Sequence, residues 1–280
     1  MLRYPGGKLR LMKKIDPLIK EVYPQAYTSD WVVSEPFVGG GAVYFHLDHG
    51  KNVINDVHKE LIALYNSIKD GHAFEIYELC QKYWKYGQRE EDYYIVRDKY
   101  EIKNNVDVAF RFYYLMKTSF RGMLRYNSKG KFNIPWGNYK VVDFKPILDS
   151  KYERLLKNTT ILSEDFEEVY KTITNNDFVF LDPPYDTPFF DYGYCQFGKD
   201  HHQRLSECFK KSEAQQLMVI SETDFIKDLY KDYIIDTYDK KYKFRIYGKR
   251  IKSDDIDKPH LVIAKNLKCK AKNFTIDDFQ

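Results

Sequence analysis

A short apolar run, followed after Pro36-Phe37-Val38 by three glycines, constrains the fold of this chain more than any other feature. Trp31 to Glu35 is predicted to be a buried strand, Gly39-Gly40-Gly41 a tight turn, and a helix is expected to begin near Ala42. A second short strand, Asn52 to Asn55, ends at Asp56. This order of strand, glycine turn, helix, strand and acid is typical of the first half of a doubly wound α/β sheet.

The rest of the chain indicates that this sheet is interrupted by helices. A helix is predicted over Lys59 to Lys69. Polar-aromatic helical stretches then follow at Ala73 to Tyr86, Glu90 to Lys103 and Val106 to Lys117. Strands return at Thr159 to Leu162, Phe178 to Leu181, Leu217 to Ser221, Ile234 to Tyr238, Tyr242 to Tyr247 and Leu261 to Ala264. The simplest arrangement is a sheet domain formed by residues 1–58 and 157–280, with residues 59–156 as a mostly helical insertion.

The predicted insertion carries a β-hairpin and a concentrated positive charge. The hairpin arms are Met123 to Asn127 and Lys131 to Pro135, joined by Ser128-Lys129-Gly130. Between Phe110 and Lys145 there are eight basic residues and one acid, a net charge of +7, whereas the whole chain carries +4. A solvated helix face or loop would explain such a run, but the aromatics and glycines among these charges favour nucleic acid binding.

Composition excludes several classes of protein. The chain has 280 residues, of which 43% are hydrophobic and 31% charged, so a disordered protein is not expected. No apolar run approaches the roughly 20 residues of a membrane-spanning helix, and the first residues lack the apolar core of a secretory signal. The four cysteines are scattered, without a Cys-x-x-Cys pair. We therefore expect an intracellular protein that is not secreted, does not contact a membrane and holds no metal.

The glycine turn and Asp56 together indicate a nucleoside-containing cofactor. Glycines after a strand let a ligand approach the backbone at a helix start. An acid at the end of the next strand often accepts hydrogen bonds from ribose hydroxyls, although Asp56 could equally be a capping acid. The turn is not a G-x-G-x-x-G, and no phosphate-binding lysine motif follows the strand. An adenosine-containing cofactor without a phosphate chain fits this pattern best.

The segment Asp182-Pro183-Pro184-Tyr185 carries the strongest chemical prediction. It directly follows the apolar strand Phe178 to Leu181. The two prolines fix the backbone and remove two N–H donors, so that carbonyl groups project from a rigid turn. A carboxylate, a carbonyl and an aromatic ring in one corner can hold a planar group that bears an amine. A Pro-Pro turn alone is usually an ordinary loop, but its position at the end of a buried strand favours a binding site.

In this order, the motifs resemble those of the Dam-type N6-adenine DNA methyltransferases, whose target-recognition region lies between the cofactor and catalytic motifs. The matches span nearly the whole chain and keep the family order. They are Arg3 to Lys8, Glu35 to Gly41, Asn55 to Val57 with Glu60 to Ile62, Phe120 to Asn127 with Gly130, Phe132, Asn133, Pro135 and Gly137, Glu164 to Phe166, and Asp182 to Tyr185. Three positions depart from the family pattern. His58 and Arg121 stand where Asn is frequent, and His260 stands where the last strand often begins with an acid.

The resemblance implies a Rossmann-like methyltransferase sheet with a mostly helical inserted target-recognition domain that carries a β-hairpin. S-adenosylmethionine would donate the methyl group, S-adenosylhomocysteine would be the product, and no metal would take part. The cofactor would be bound by Tyr4, Lys8, Glu35, Phe37, Gly39, Gly41, Asp56, Asp165, Phe166 and Asp182.

For catalysis, the resemblance implies that the target adenine is flipped out of the duplex, since its amine cannot be reached while the base is stacked. Asp182 and the Pro183 carbonyl would hold the N6 hydrogens, Pro184 would keep the turn rigid, and Tyr185 would stack on the ring.

For recognition, the resemblance implies contacts to double-stranded DNA, with GATC as the leading candidate site. A phosphate contact is the alternative for Arg125, which otherwise suits a guanine. We expect a monomer, with a transient dimer on DNA as the alternative. The DNA contacts would come from Arg121, Arg125, Tyr126, Asn127 and Lys129.

Two other functions compete with this interpretation. The first is methylation of a different amine, in RNA or on a protein glutamine. Glutamine methyltransferases usually carry Asn before Pro-Pro-Tyr, so Asp182 argues against them. The second is a DNA-binding module that has lost catalysis, against which the intact Asp182 to Tyr185 segment and Asp56 both argue.

Overall fold

The computed structural model describes residues 12–85, 89–186, 196–246 and 249–267. The strands are β1 (Val32–Glu35), β2 (Asn52–Asn55), β3 (Thr159–Leu162), β4 (Asp177–Leu181), β5 (Gln215–Ser221), β6 (Ile234–Ile246) and β7 (Lys249–Lys265). They form one seven-stranded sheet in the order β3-β2-β1-β4-β5-β7-β6. The neighbours among β1 to β5 pair in parallel, whereas β7 is antiparallel to both β5 and β6.

Helices connect these strands and cover the sheet. They are α1 (Met12–Val22), α2 (Tyr44–Leu47), α3 (Lys59–Lys69), α4 (Ala73–Lys85), α5 (Arg89–Asp98), α6 (Asn105–Thr118), α7 (Ser150–Lys157), α8 (Phe166–Tyr170), α9 (Lys199–Lys211) and α10 (Asp224–Tyr230). Short 3-10 turns lie at Pro24–Tyr27, Phe120–Gly122 and Lys145–Leu148. Among the described residues, no helix is long and apolar enough to cross a membrane.

Alternating side chains of β4 bury the two faces of the sheet. Phe178 and Phe180 pack in a cluster with α1, and Val179 and Leu181 pack in a second cluster with α9 and α10. This period of two is the one expected for a strand whose faces are both covered. The strand is buried at every position, so the residue that follows it leaves the centre of the sheet at its carboxyl edge.

A third apolar cluster joins the sheet to the helices that follow β2. It extends from Ile54 of β2 through Leu61 of α3 and Phe110 of α6 to Leu124 and Phe132 of the hairpin. The helical region therefore shares a continuous core with the β2 side of the sheet and is not a detached module.

The α/β sheet expected from the sequence is confirmed, but several bounds differ, and the strand predicted at Leu261 to Ala264 is the end of the much longer β7. The two strands predicted at Ile234 to Tyr238 and Tyr242 to Tyr247 are one strand, β6, because the charged residues between them pair with β7 through their backbones. The helix predicted to run to Lys103 ends at Asp98, before Asn104 caps α6. The helix expected near Ala42 begins at Tyr44. The hairpin is short and pairs through Tyr126 and Phe132.

Candidate active site

The carboxyl ends of three neighbouring parallel strands bring three predicted acids to one edge of the sheet. The central strand of the three is β1, which ends at Glu35. It pairs with β2 on one side and β4 on the other. Asp56 directly follows β2, and Asp182 directly follows β4. Open α/β sheets bind ligands at this edge, so residues from three separate motifs lie where a cofactor and a substrate can meet.

The carboxylate of Asp56 holds the glycine turn in place. Its Oδ2 accepts a hydrogen bond from the Gly39 N–H and its Oδ1 one from the His58 N–H, both at 2.9 Å. Burial raises the pKa of Asp56, and these two hydrogen bonds oppose that shift. An ionised carboxylate has about four lone-pair positions, so Asp56 can accept further bonds from a ligand hydroxyl.

The glycine turn itself requires residues without a side chain. Gly39 and Gly41 have φ angles of 46° and 67°, in the left-handed region that favours glycine. A Cβ atom on Gly41 would lie 2.7 Å from the Phe45 ring. The hydroxyl of Tyr65 donates to the Gly39 carbonyl at 2.6 Å and holds the turn from α3. The backbone of the turn is therefore fixed by its own packing, and it is partly exposed at Gly39 and Gly40.

Glu35 is a buried acid with an unsatisfied oxygen. Glu35 is 3% exposed, and its Oε1 has no hydrogen-bond partner among the residues that the structure describes. Burial, and secondly the negative charge of Asp182, raise the pKa of Glu35 well above its ordinary value, while a bond from the Tyr44 backbone opposes the shift. Buried polar atoms are rarely left without a partner, so Oε1 is a position that a bound cofactor can satisfy.

We expect Glu35→Gln to reduce the dependence of stability on pH. Because the folded-state pKa of Glu35 is raised, the folded chain keeps a proton that the unfolded chain releases. The free energy of unfolding therefore falls as pH rises between the unfolded and folded pKa values, by about 1.4 kcal/mol per pH unit for one such group. Glutamine cannot ionise, so the variant should lose this slope and become the more stable protein at the upper end of that window.

Urea unfolding at a series of pH values checks this expectation. Glu78 on α4 is exposed, and Glu78→Gln is the matched control substitution. Parallel curves for wild type and Glu35→Gln would show that the Glu35 side chain does not titrate differently on folding.

Three aromatic rings lie together beside the acids. The Phe37 and Phe166 ring centroids are 5.6 Å apart, and Phe197 lies 5.6 Å from the first and 5.9 Å from the second. Asp165 caps the helix that Phe166 begins, by accepting the Glu167 N–H at 3.0 Å. This cluster offers flat apolar surface for a heterocycle.

Arg204 of α9 holds the Asp165 and Phe166 pair in place. It donates to Asp165 Oδ1 at 2.8 Å and to Glu167 Oε1 at 2.8 Å, and its guanidinium lies 5.1 Å from the Phe166 ring centroid. Neither Arg204 on α9 nor Phe197 just before that helix was predicted, because both reach the site only by packing and no local sequence pattern distinguishes them.

The Asp-Pro-Pro-Tyr turn is supported by the antiparallel strand β7. Pro183 is buried, whereas Asp182 and Tyr185 are half-buried. The Tyr185 ring meets the fully buried His260 edge-on, with centroids 5.4 Å apart. His260 also contacts Tyr238 of β6, at 5.3 Å. The sequence singled out His260 only as a departure from the family pattern, and its contact with Tyr185 was missed.

Two residues that were predicted to bind the cofactor, Tyr4 and Lys8, lie outside the described residues. Within the described ranges, no group of three or more His, Cys, Asp or Glu side chains could hold a metal ion.

The predicted recognition residues lie on and beside the hairpin, where Asn127 builds the turn. Its Oδ1 accepts the Lys129 N–H at 2.9 Å and the Lys131 N–H at 3.1 Å. Arg125 is exposed, and its Nε donates to Asn133 Oδ1 at 2.9 Å. Lys129 is exposed at the turn. Arg125 and Lys129 are thus presented to solvent, whereas the Asn127 side chain is used within the hairpin.

Arg121 has an unusual backbone conformation. Its φ angle is 57°, in the left-handed region. Asn adopts this region more readily than most residues with a side chain, which gives a physical reason for the Asn frequent at this position of the family pattern. The guanidinium lies 5.0 Å from the ring centroid of Phe120, and both residues are exposed.

Tyr126 differs from its neighbours because its hydroxyl bonds within the protein. It lies 2.9 Å from His58 Nε2 and donates to the carboxylate of Glu60. The predicted recognition residues therefore divide into exposed cations and two side chains that shape or hold the hairpin.

Comparison with known proteins relates this site to a family. The model of the D12 class N6 adenine-specific DNA methyltransferases matches residues 4–246. Type II methyltransferase M.CviBI of Paramecium bursaria Chlorella virus NC1A is 44% identical over 266 residues, which cover 94% of this chain and 98% of that protein. Type II methyltransferase M1.LlaDCHI of Lactococcus lactis subsp. cremoris is 34% identical over 251 residues, with coverages of 83% and 84%. The DNA adenine methylase of Haemophilus influenzae is 27% identical over 241 residues, covering 82% of each chain.

Proposed function

Because the chain belongs to the D12 class of N6-adenine-specific DNA methyltransferases, we propose that it methylates N6 of a flipped-out adenine at a specific site in duplex DNA. The family and the enzyme class expected from the sequence are thereby confirmed. The observation that best supports the proposed site is the meeting of Glu35, Asp56 and Asp182 at one edge of the sheet.

The residues at this edge fit S-adenosylmethionine, with S-adenosylhomocysteine as the product. Asp56 would accept the ribose hydroxyls, Phe37 and Phe166 would hold the adenine, and the unpartnered Glu35 Oε1 would receive a polar group. Bound there, the cofactor supplies an electrophilic methyl group on a sulfonium. The proposed set is completed by Gly39, Gly41, Asp165, Asp182, Tyr4 and Lys8.

The Asp-Pro-Pro-Tyr turn would hold the target base. The Asp182 carboxylate and the Pro183 carbonyl accept the two N6 hydrogens, Pro184 stiffens the turn, and Tyr185 stacks on the ring. These hydrogen bonds orient the nitrogen lone pair and stabilise the positive charge that develops as N6 attacks a methyl group. An adenine in a duplex is out of reach of such a corner, so the base must leave the stack. The chemistry needs neither a covalent intermediate nor a metal ion.

Residues 59–156 form the proposed DNA target-recognition region, inserted into a catalytic domain of residues 1–58 and 157–280. The region carries the net charge of +7 between Phe110 and Lys145 and presents Arg121, Arg125 and Lys129 to solvent. Arg125 is proposed to contact a guanine, with GATC as the leading site, and Arg121 and Lys129 to contact phosphates. Tyr126 and Asn127 would contribute by setting the shape and position of the hairpin.

The proposed partner is double-stranded DNA, bound by a monomer or by a transient dimer. The enzyme would then act in a DNA-containing compartment of a cell. Two of the similar proteins are named type II methyltransferases, which favours a modification enzyme of a restriction–modification system.

We expect Arg125→Ala to relax site selection, whereas Lys129→Ala should weaken DNA binding at all sequences alike. Loss of a two-bond contact to guanine costs about 1–3 kcal/mol of discrimination at one base position. A phosphate contact carries no sequence information, and its loss should reduce the slope of log Kd against log salt by about one. Sequencing of methylated adenines and salt titrations measure the two effects. A reduced salt slope with unchanged selection in Arg125→Ala would identify Arg125 as a phosphate contact.

The proposed function is tested by transfer of a tritiated methyl group to duplex DNA, RNA and protein substrates. Label in DNA, located at adenine N6 by nucleoside analysis, is the expected result. Label in RNA or protein alone would overturn the proposed substrate. DNA binding without any transfer would instead identify a module that has lost catalysis. Mapping the methylated adenines in DNA from cells that express the protein then identifies the site.

A further inference from the structure

His58 lies between the loop that carries Asp56 and the hairpin that carries Arg125. Its backbone N–H donates to Asp56 Oδ1 at 2.9 Å, and its ring Nε2 lies 2.9 Å from the Tyr126 hydroxyl. The ring is buried and has centroid distances of 5.1 Å to Phe112 and 5.5 Å to Tyr126. One residue thus contacts both the proposed ribose acid and the proposed recognition hairpin.

The hydrogen bonds of the His58 ring determine where its proton lies. Nδ1 accepts the Leu61 N–H at 3.1 Å and thereby caps α3. Burial lowers the pKa of His58 to about 3, so the ring is neutral near pH 7. A neutral imidazole whose Nδ1 is an acceptor carries its proton on Nε2. His58 therefore donates to the oxygen of Tyr126.

Tyr126 in turn donates its hydroxyl hydrogen to Glu60, which extends the network into the helical region. The carboxylate of Glu60 accepts this bond on Oε2 and a bond from Arg111 on Oε1, the latter at 3.2 Å. Arg111 also donates to the Arg97 carbonyl at 3.0 Å. The members lie on the Asp56 loop, α3, the hairpin, α6 and α5. A polar network in which each of these donors has an acceptor holds its members in one arrangement.

We propose that His58 and Glu60 are positioning residues that anchor the recognition hairpin through the Tyr126 hydroxyl, and so determine how strictly the enzyme selects its DNA site. This inference rests on the proposed function, because it presupposes that the hairpin contacts DNA. Within the hairpin, Tyr126 would fix the position and Arg125 would contact the base.

The geometry explains why an anchor at Tyr126 affects Arg125. Neighbouring side chains of an extended segment point to opposite sides, so a fixed Tyr126 presents Arg125 outward. A two-bond contact between arginine and guanine demands both position and angle, whereas phosphate contacts only position the protein. Loss of the anchor is therefore expected to impair discrimination between sites more than overall DNA affinity.

The test uses the full-length variants His58→Asn and Tyr126→Phe, with duplexes that carry either the mapped site or that site with one base pair changed. In His58→Asn the new side chain can still cap α3, and the backbone N–H to Asp56 remains, but the side chain is too short to bridge to Tyr126. Each variant is expected to lower the ratio of the two kcat/KM values by about tenfold. The KM for S-adenosylmethionine should stay within about twofold of wild type.

The double variant separates anchoring from general destabilisation. Tyr126→Phe removes both hydroxyl bonds, including the one that His58→Asn breaks, so the double variant should reduce the ratio no further than Tyr126→Phe alone. Tyr77→Phe on α4 removes a hydroxyl from another half-buried tyrosine and should leave the ratio unchanged.

Two results would overturn the inference. The first is a double variant in which the reductions of the kcat/KM ratio multiply. The second is an equal loss of activity on both duplexes, which a merely structural role would produce. If Tyr126→Phe does not fold, the ratio in His58→Asn decides alone. A wild-type protein that transfers no methyl group to DNA would refute the proposed function instead, so the two failures are distinguishable.

Discussion

Asp182→Ala is expected to lower kcat for methyl transfer by about 100- to 1,000-fold while the protein still binds DNA. The variant removes the carboxylate that would accept an N6 hydrogen and stabilise the charge developing on the nitrogen, and loss of such a preorganised group typically costs 10²–10³ in rate. Single-turnover transfer of a tritiated methyl group measures the rate. Fluorescence anisotropy with a labelled duplex measures Kd, which should remain within about threefold of wild type because the hairpin is unaltered.

Two further substitutions define what the Asp182 carboxylate does. Asp182→Asn keeps the shape and one acceptor oxygen and should retain more activity than Asp182→Ala. Asp228 on α10 is exposed, so Asp228→Ala should transfer methyl groups at the wild-type rate. Wild-type activity in Asp182→Ala would refute the proposed mechanism, and a parallel loss of DNA binding would make Asp182 a structural residue of the turn.

Asp56→Ala should raise the KM for S-adenosylmethionine by about 10- to 100-fold and affect kcat much less. Hydrogen bonds to a charged group contribute about 1.5–3 kcal/mol, and tenfold in affinity corresponds to about 1.4 kcal/mol. The substitution also leaves the Gly39 and His58 N–H groups without the carboxylate that now accepts their hydrogens. Calorimetric titration with the cofactor, in the absence of DNA, measures the affinity directly.

The size of this effect separates two roles of Asp56. Asp56→Asn retains one acceptor oxygen and should lie between wild type and Asp56→Ala. If Asp56→Ala lowered the melting temperature but bound the cofactor normally, Asp56 would be a capping acid that only holds the glycine turn. That was the alternative left open by the sequence.

The half of the fold that contains β1, β2 and β3 could be predicted because its sequence signals are local. The bounds of β2, β3 and α3 were predicted correctly, since each apolar pattern ends abruptly at polar residues. The long pairing of β6 with β7 was not predicted, because charged residues such as Lys240 and Lys241 were interpreted as a turn between two strands. Their backbones nevertheless pair with Lys258 and Asp257. Residue type reports the environment of a side chain and says little about backbone pairing with a distant strand.

The acids of the candidate site could be predicted from the sequence, but the residues that pack against the site could not. Glu35 ends a recognisable strand, and Asp56 and Asp182 each directly follow one, so the motifs locate them. Tyr185 contacts His260, and Phe166 contacts Arg204. In both pairs the partners are far apart in the sequence, and no short pattern predicts such contacts. Tyr126 was predicted to contact DNA only because it belongs to the same motif as Arg125 and Asn127, and its hydrogen bonds to His58 and Glu60 were not predicted.

The position of β1 between β2 and β4 has a consequence for synthesis of the protein. A ribosome produces β1, β2 and β3 in sequence, and these strands can pair as soon as residue 162 has emerged. One hydrogen-bonding edge of β1 then stays open until Asp177–Leu181 is made, because β4 is the strand that covers it. Exposed strand edges recruit other strands, so a chain stalled in this interval should be prone to aggregation. The strand that leads to the proposed catalytic acid, Asp182, also closes this exposed edge of the nascent sheet.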